Sequence, residues 1–115
     1  MTEQEKINEI SPFKALDFIR DNAELYASAK ANVVYMTEYR KTIKSLLMNE
    51  STAKTESAKE SYAYAHKNYI EHLKALSQAI EKAEHLRWLM IGAQAKIEVW
   101  RSLESSARAE GKATQ

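Results

Sequence analysis

Few residues in this chain of 115 could carry out chemistry, and their spacing fits no common reaction centre. Glu81 and His85 stand four positions apart, so on a helix they would share a face and could hold a metal ion together. A helical di-iron site, however, needs a Glu-x-x-His pair on each of two helices, and the chain has none. Glu81 and Glu84 form a single Glu-x-x-Glu, whereas helical nucleotide pyrophosphohydrolases need paired acidic motifs. The sequence therefore predicts no metal site and no cofactor.

Nucleophilic catalysis has no better support in the sequence. The chain contains no cysteine, which excludes thiolate nucleophiles, thiolate metal sites and disulfides. Its three histidines have no serine partner that spacing can identify, and no glycine-rich phosphate-binding loop is present. We therefore predict no catalytic residues and expect that the protein is not an enzyme.

Binding chemistry is better represented, because basic and aromatic residues alternate between positions 35 and 69. Lysine and arginine contact phosphates, and tyrosine can stack on a base or supply an interface. The candidate residues for binding single-stranded DNA or a protein partner are Tyr39, Arg40, Lys41, Lys44, Tyr62, Tyr64 and Lys67. Residues 31–70 hold only six basic against four acidic side chains. The alternative is therefore that the tyrosines fill one end of a helical bundle with their hydroxyls in water.

A second basic pattern recurs every seven residues and comprises Arg87, Gln94, Arg101 and Arg108. It could follow a phosphate backbone, with Arg87 and Arg101 as the main contacts. The alternative, which the pattern favours, is a solvated flank whose arginines pair with Glu84, Glu98 and Glu104.

The elements that would position these residues are long helices. The only helix-breaking residues are Pro12, Gly92 and Gly111, which argues against sheets with tight turns. Ser11-Pro12 predicts a helix start, and a 3-4 spaced seam of nine residues then follows. These residues are Ile19, Asn22, Tyr26, Ala29, Val33, Met36, Arg40, Ile43 and Leu47.

A second helix is predicted after the polar stretch 49–57, with Ser57 and Glu60 as a capping box. Its seam continues from Tyr69 through Leu73, Leu76, Ile80, Ala83, Leu86, Met90, Ala93, Ile97 and Trp100. The expected fold is all-α: a long, coiled-coil-like antiparallel hairpin of two helices, or of three with a break near 65–68. Residues 1–10 and 110–115 are expected to be disordered, which leaves 11–109 as one helical domain.

The second helix carries another apolar stripe, made of Trp88, Ile91, Ala95 and Val99. A helix that is apolar on two sides packs on two sides. The chain is too short to cover the second stripe with a full four-helix bundle of its own. We therefore predict a homo-oligomer, a dimer or higher, that associates through this stripe.

The net charge of +1 provides no strong attraction to nucleic acid or to acidic membranes. The acidic N-terminus does not look like a signal peptide, and no apolar run reaches the roughly 20 residues of a membrane helix. These features lead us to expect a cytoplasmic protein with no membrane contact.

The segments "EYRKTIKSLLM", "AYAHKNYIEHL" and "EHLRWLMIGAQAKIEVWRSLESSAR" resemble a family of small uncharacterised proteins of tailed bacteriophages. Members are often encoded near genes for single-strand annealing, exonuclease or single-strand-binding proteins. The family pattern has proline where this chain has Lys67. The resemblance implies a non-enzymatic accessory protein of phage DNA recombination or replication in the bacterial host cell. Such a protein would bind single-stranded DNA or a recombination protein; the alternative is an adaptor or inhibitor of a host factor that binds no nucleic acid.

Overall fold

The computed structural model describes residue 2 and residues 11–113, and every regular element among them is an α-helix. Helix α1 spans Pro12–Glu50, α2 spans Glu56–Ala65 and α3 spans Lys67–Ala113. The fold is an all-α antiparallel hairpin in which α2 belongs to the connection between the two long helices. Of the two predicted alternatives, the structure has the one with three helices and a break near 65–68. The predicted disorder of 1–10, and of 114–115, lies outside the described residues apart from Thr2.

Helix α1 begins where the Ser11-Pro12 pair predicts. The Lys14 backbone N–H donates to Ser11 Oγ over 3.2 Å, and the Ala15 N–H donates to the Ser11 carbonyl over 3.2 Å. Serine thus satisfies one of the N–H groups that a helix start leaves unpaired, and Pro12 occupies the first helical position, where no N–H is needed.

The cap of α2 differs from the prediction. Thr55, rather than Ser57, is the N-cap: its Oγ1 accepts from the Ala58 backbone N–H over 3.1 Å. Ser57 lies inside the helix and is exposed. The predicted capping box between Ser57 and Glu60 is therefore wrong, because the chain turns into the helix two residues earlier. The extended backbone of Thr55, with φ −112° and ψ 153°, suits a cap.

His66 alone separates α2 from α3. Its extended backbone, with φ −70° and ψ 140°, ends α2, and its Nδ1 accepts from the Asn68 N–H over 3.0 Å. His66 therefore acts as the cap of α3, and Lys67 takes the first helical position. A single non-helical residue with a side-chain acceptor is enough to break the helix without glycine or proline.

The predicted seam of α1 is confirmed: all nine residues, from Ile19 to Leu47, are buried or half-buried. Asn22, a polar member of this seam, has a hydrogen-bond partner within its own helix. Its Nδ2 donates to the Phe18 carbonyl over 2.9 Å.

The predicted seam of α3 is wrong at two positions. Leu73 and Ile80 are 39% and 44% exposed, whereas His72 and Ala79 are half-buried. The buried positions keep an unbroken 3-4 spacing from Tyr69 through Leu76 and Leu86 to Trp100. Strict heptad geometry therefore selects His72 and Ala79, although their neighbours Leu73 and Ile80 are more apolar.

Helix α3 also extends past its predicted end near residue 109 and includes Gly111. Gly111 does not terminate the helix, because no glycine in the described residues has a positive φ. The polar run before it suits an exposed final turn, and Lys112 in that turn has the sign that the helix dipole favours.

The chain divides into two compact units. Unit 1 comprises residues 12–26 of α1 with residues 85–113 of α3; unit 2 comprises residues 27–84. The core of unit 2 contains Leu47, Ala63 and Tyr69, with Ile43 and Met48 packed against them. The buried apolar residues of unit 1 are only Ala15, Leu86 and Ala93.

Candidate interaction surfaces

An exposed pair of tyrosines lies on α1 in unit 2. The rings of Tyr35 and Tyr39 stack with centroids 5.7 Å apart and planes only 10° from parallel. Tyr35 is 64% exposed and Tyr39 is 39% exposed. The two residues are one helical turn apart, which brings their rings together on one face. We refer to Tyr35 and Tyr39 as the tyrosine pair.

The tyrosine pair is anchored on one side by α3. The His72 ring lies 5.9 Å from the Tyr39 ring, and His72 Nε2 lies 2.7 Å from the Met36 carbonyl oxygen. A carbonyl can only accept, so Nε2 carries the hydrogen in this contact. His72 thus links α3 to α1 and supports Tyr39, while Tyr35 extends into solvent.

A surface depression beside the tyrosine pair is lined by Tyr35, Glu38, Tyr39, Lys41 and Thr42. All five residues belong to α1. The depression is therefore the side of one helix rather than a cleft between elements, and it suits a flat partner better than a small molecule.

A different cluster forms around Lys44. Lys44 Nζ lies 3.3 Å from Glu60 Oε1 on α2 and 4.9 Å from the centroid of the Tyr64 ring. The Tyr64 ring in turn meets the buried Tyr69 ring edge-on, with centroids 5.2 Å apart. We refer to Lys44, Glu60, Tyr64 and Tyr69 as the lysine cluster. Hydrogen bonding to Tyr64, then to Glu60, raises the pKa of Lys44 despite some desolvation.

The structure does not gather the predicted binding residues into one site. Tyr39 and Lys44 are five residues apart on α1, which places them about 140° apart around the helix axis. Tyr39 therefore belongs to the tyrosine pair, while Lys44 and Tyr64 meet in the lysine cluster. Tyr62 lies apart from both and contacts His66, with ring centroids 5.6 Å apart.

Most predicted phosphate contacts are already paired with carboxylates. Lys41 Nζ lies 3.1 Å from Glu38, and Lys67 Nζ lies 3.7 Å from Glu71. Arg40 differs from them: it is half-buried on the seam and makes no ion pair with any residue in the described part of the chain. The ion pairs of Lys41 with Glu38 and of Lys67 with Glu71 lower the positive potential that a phosphate backbone would meet.

The arginine row of α3 also has partners within its own helix. Arg101 lies 3.4 Å from Glu98, and both side chains are exposed. The Arg87 guanidinium lies 5.2 Å from the centre of the Trp88 ring. This arrangement agrees with the interpretation of the row as a solvated flank.

The two tryptophans of α3 differ. Trp100 is half-buried on the seam, whereas Trp88 is 61% exposed. Trp88 stands about 200° around the helix from the seam residues Leu86 and Met90, on the opposite side. Val99 and Ala95 are also exposed, and Ile91 is half-buried. The predicted self-association stripe is therefore the outer face of α3 in unit 1, where the other helical residues among 11–113 leave Trp88, Ala95 and Val99 exposed.

Tyr35, His72 and Glu60 belong to these surfaces but are not among the candidate residues predicted for binding. His72 could have been found from the heptad, because it follows Tyr69 by three positions and precedes Leu76 by four. Glu60 could not, because its contact with Lys44 crosses sixteen positions and depends on where α2 packs.

Residues 11–113 contain no group of three or more His, Asp or Glu side chains arranged to hold a metal ion. None of the three helices is both long and apolar enough to cross a membrane. No protein-family model, no curated protein and no solved structure matches this chain.

Proposed function

We propose that this chain is a non-enzymatic accessory protein of phage DNA recombination or replication. In this proposal it works as a homo-oligomer in the host cytoplasm and binds a recombination protein through the tyrosine pair of unit 2. The phage setting comes from the sequence resemblance alone. The observation that carries the binding site is the exposed, stacked pair of Tyr35 and Tyr39.

The tyrosine pair suits a protein partner for physical reasons. Tyrosine presents a large apolar ring with a polar end, and its two side-chain torsions cost little entropy to fix. Here stacking and His72 already restrict Tyr39. Preorganised aromatic rings of this kind are frequent hot spots in protein interfaces.

The neighbouring charges favour the same class of partner. Lys41 is neutralised by Glu38 at 3.1 Å, and Lys44 by Glu60 at 3.3 Å. A phosphate would have to compete with these carboxylates, whereas a protein interface tolerates paired charges at its rim.

The proposal is tested by isothermal titration calorimetry of the chain against a phage single-strand annealing protein, exonuclease and single-strand-binding protein. With one of them as partner, the Tyr35→Ala, Tyr39→Ala double variant should bind at least about tenfold more weakly, equivalent to about 1.4 kcal/mol. Leu25→Ala is the control, because Leu25 is an exposed apolar residue of α1 in the other unit. The site assignment fails if a folded double variant binds as tightly as the wild type, and the function fails if none of the three proteins binds.

Binding of single-stranded DNA is the second candidate. It is favoured by the near-parallel tyrosine rings, on which bases could stack, and by Arg40, which has no carboxylate partner among the described residues. Phosphate contact by Arg40 and Lys44 would then hold the strand against α1.

Fluorescence anisotropy with labelled single-stranded and duplex oligonucleotides, at low and physiological salt, separates the two candidates. DNA binding predicts a preference for the single strand, weakening with salt, and loss of affinity in an Arg40→Glu, Lys44→Glu double variant. An absence of binding at low salt would remove this candidate and leave the protein partner.

A further inference from the structure

Unit 1 has a thin apolar core. Only Ala15, Leu86 and Ala93 are buried among its apolar side chains, and Leu86 is the only large one. The large apolar residues exposed in the same unit are Phe13, Leu16, Leu25, Trp88, Leu89 and Val99. Each large apolar side chain that moves out of water stabilises by roughly 1.5–3 kcal/mol. The seam residues Ile19, Met90, Ile97 and Trp100 are half-buried, so unit 1 has a seam of its own and, outside it, apolar side chains that a partner could cover.

The outer face of α3 is asymmetric in side-chain size. Trp88 stands at one end, and small residues occupy the next turns at Gly92, Ala95 and Ser102. Gly92 is the notable member, because a Cβ built on it meets nothing within 4 Å and its φ is not positive. Glycine in a helix interior costs about 1 kcal/mol relative to alanine. Residues 11–113 give no steric reason for this cost, whereas a second helix in close approach would.

We propose that a second copy of this chain covers this face, with its α3 antiparallel to the first and the two-fold axis near Ala95. Trp88 and Ser102 lie seven positions on either side of Ala95, and Ile91 and Val99 lie four positions on either side. Each Trp88 therefore lies at the level of Ser102 of the second copy, and each Ile91 lies at the level of Val99.

The antiparallel arrangement follows from the asymmetry. In a parallel pair the two Trp88 rings would meet each other and hold the helices apart where Gly92 and Ala95 face a gap. In the antiparallel pair each large ring meets small residues, so the helices keep one separation throughout and pack without voids.

A second copy is a better occupant than a charged ligand or a disordered peptide. The net charge of +1 means that two copies do not repel each other strongly. Among the charged residues beside the stripe, Glu98 and Arg101 lie 3.4 Å apart, so this part of the rim carries no net charge. An isologous interface also uses the same patch twice, which is how most homodimers form.

The first experiment is sedimentation equilibrium of the full chain, with wild type compared with Trp88→Glu. Trp88 is 61% exposed in the single chain, so the substitution should leave the helical circular dichroism unchanged. The wild type should sediment as a dimer, and the variant should dissociate at least about a hundredfold more readily, equivalent to about 2.7 kcal/mol. Lys74→Glu is the control, because Lys74 occupies the same heptad position two heptads earlier and is exposed. A monomeric wild type, or a Trp88→Glu variant as tightly dimeric as the control, overturns the proposal.

The second experiment tests the geometry with side chains that disturb folding little. The chain lacks cysteine, so a single introduced thiol can bond only to its copy. Ala95→Cys lies at the proposed axis and should form an intermolecular disulfide under mild oxidation. The two copies of Ser102→Cys would stand about 21 Å apart along the helix, far beyond the roughly 7 Å limit between Cα atoms. Equal cross-linking of both variants would indicate a parallel pair, and no cross-linking of Ala95→Cys would exclude the proposed axis.

Discussion

Lys44 shows how the charge of a single residue depends on neighbours that sequence proximity does not reveal. Its ammonium group lies between Glu60 and the Tyr64 ring, both contributed by α2. Lys44, which the sequence predicts as a phosphate contact, is therefore already paired with side chains of the same chain. Exposed ion pairs contribute little to stability, so the pair is better understood as orienting α2 against α1.

The contribution of Lys44 to stability should depend on pH, in the direction set by its raised pKa. Because hydrogen bonds to Tyr64 and Glu60 raise the pKa of Lys44, its contribution to folding is fully present below the ordinary value of 10.5. It is lost as the pH rises through the folded pKa. We therefore expect the difference in free energy of unfolding between wild type and Lys44→Met to be larger at about pH 9 than at about pH 11.5.

Urea denaturation of both proteins at the two pH values measures this difference. Glu60→Gln removes one of the two partners and should reduce the dependence on pH. A difference between wild type and Lys44→Met that stays constant, or grows, between the two pH values would contradict the assigned contacts.

The N-terminus of α2 is capped by a different side chain from the one that the sequence pattern predicts. Ser57 and Glu60 fit the capping-box pattern, yet Thr55 is the residue whose Oγ1 accepts from the helix. Ser, Thr and Asp near a helix start compete for the role, and the path of the connecting turn decides between them. This turn is held by contacts such as the Ala53 N–H to Ser51 Oγ, at 3.1 Å, which no periodicity shows.

Substitution distinguishes the two candidate caps. Thr55→Ala should lower the free energy of unfolding by about 1 kcal/mol, because it leaves the Ala58 N–H without its acceptor. Ser57→Ala should be neutral or slightly stabilising, because Ser57 is an exposed residue within the helix. Urea denaturation followed by far-ultraviolet circular dichroism measures both. The reverse ranking would restore Ser57 as the cap.

The break at His66 makes Lys67 a favourable position for proline. Lys67 is the first residue of α3, where the helix does not need its N–H, and the extended His66 suits a residue before proline. We expect Lys67→Pro to change the free energy of unfolding by between zero and about 1 kcal/mol in the stabilising direction. Lys74→Pro, one heptad further along α3, should destabilise by about 3 kcal/mol or more. Thermal and urea unfolding of the two variants checks this, and similar losses in both would mean that α2 and α3 form one continuous helix.

The long seams were the most predictable feature because they depend on spacing alone. Every predicted α1 seam residue is buried or half-buried, including Arg40, whose charge gave no hint of it. The α3 seam differs from the prediction at Leu73 and Ile80, because spacing rather than apolar character decides that His72 and Ala79 are the half-buried residues. The surface clusters were less predictable, because they arise from contacts between helices whose register the sequence does not state.

The stability of the molecule depends on where its apolar residues lie and not only on how many it has. Five of the nine buried apolar residues are alanines, and no large side chain among the described residues is fully buried. Each unit holds a narrow seam; unit 1 leaves leucines and Trp88 exposed, and unit 2 leaves four tyrosines exposed. A monomer with this distribution folds with a smaller margin over the entropy of ordering its chain than a dimer in which these side chains are covered.

The stability of the chain should therefore depend on its concentration. If a second copy completes the core, folding is coupled to association, and each tenfold rise in concentration stabilises the folded dimer by about 1.4 kcal/mol. We expect the urea midpoint of the wild type to rise over a hundredfold range of concentration. Trp88→Glu should give a lower midpoint that does not move, because its outer face cannot be covered, while Lys74→Glu should follow the wild type. A wild-type midpoint independent of concentration would mean that the seams within one chain are sufficient, and the exposed face of α3 would then have to serve a different partner.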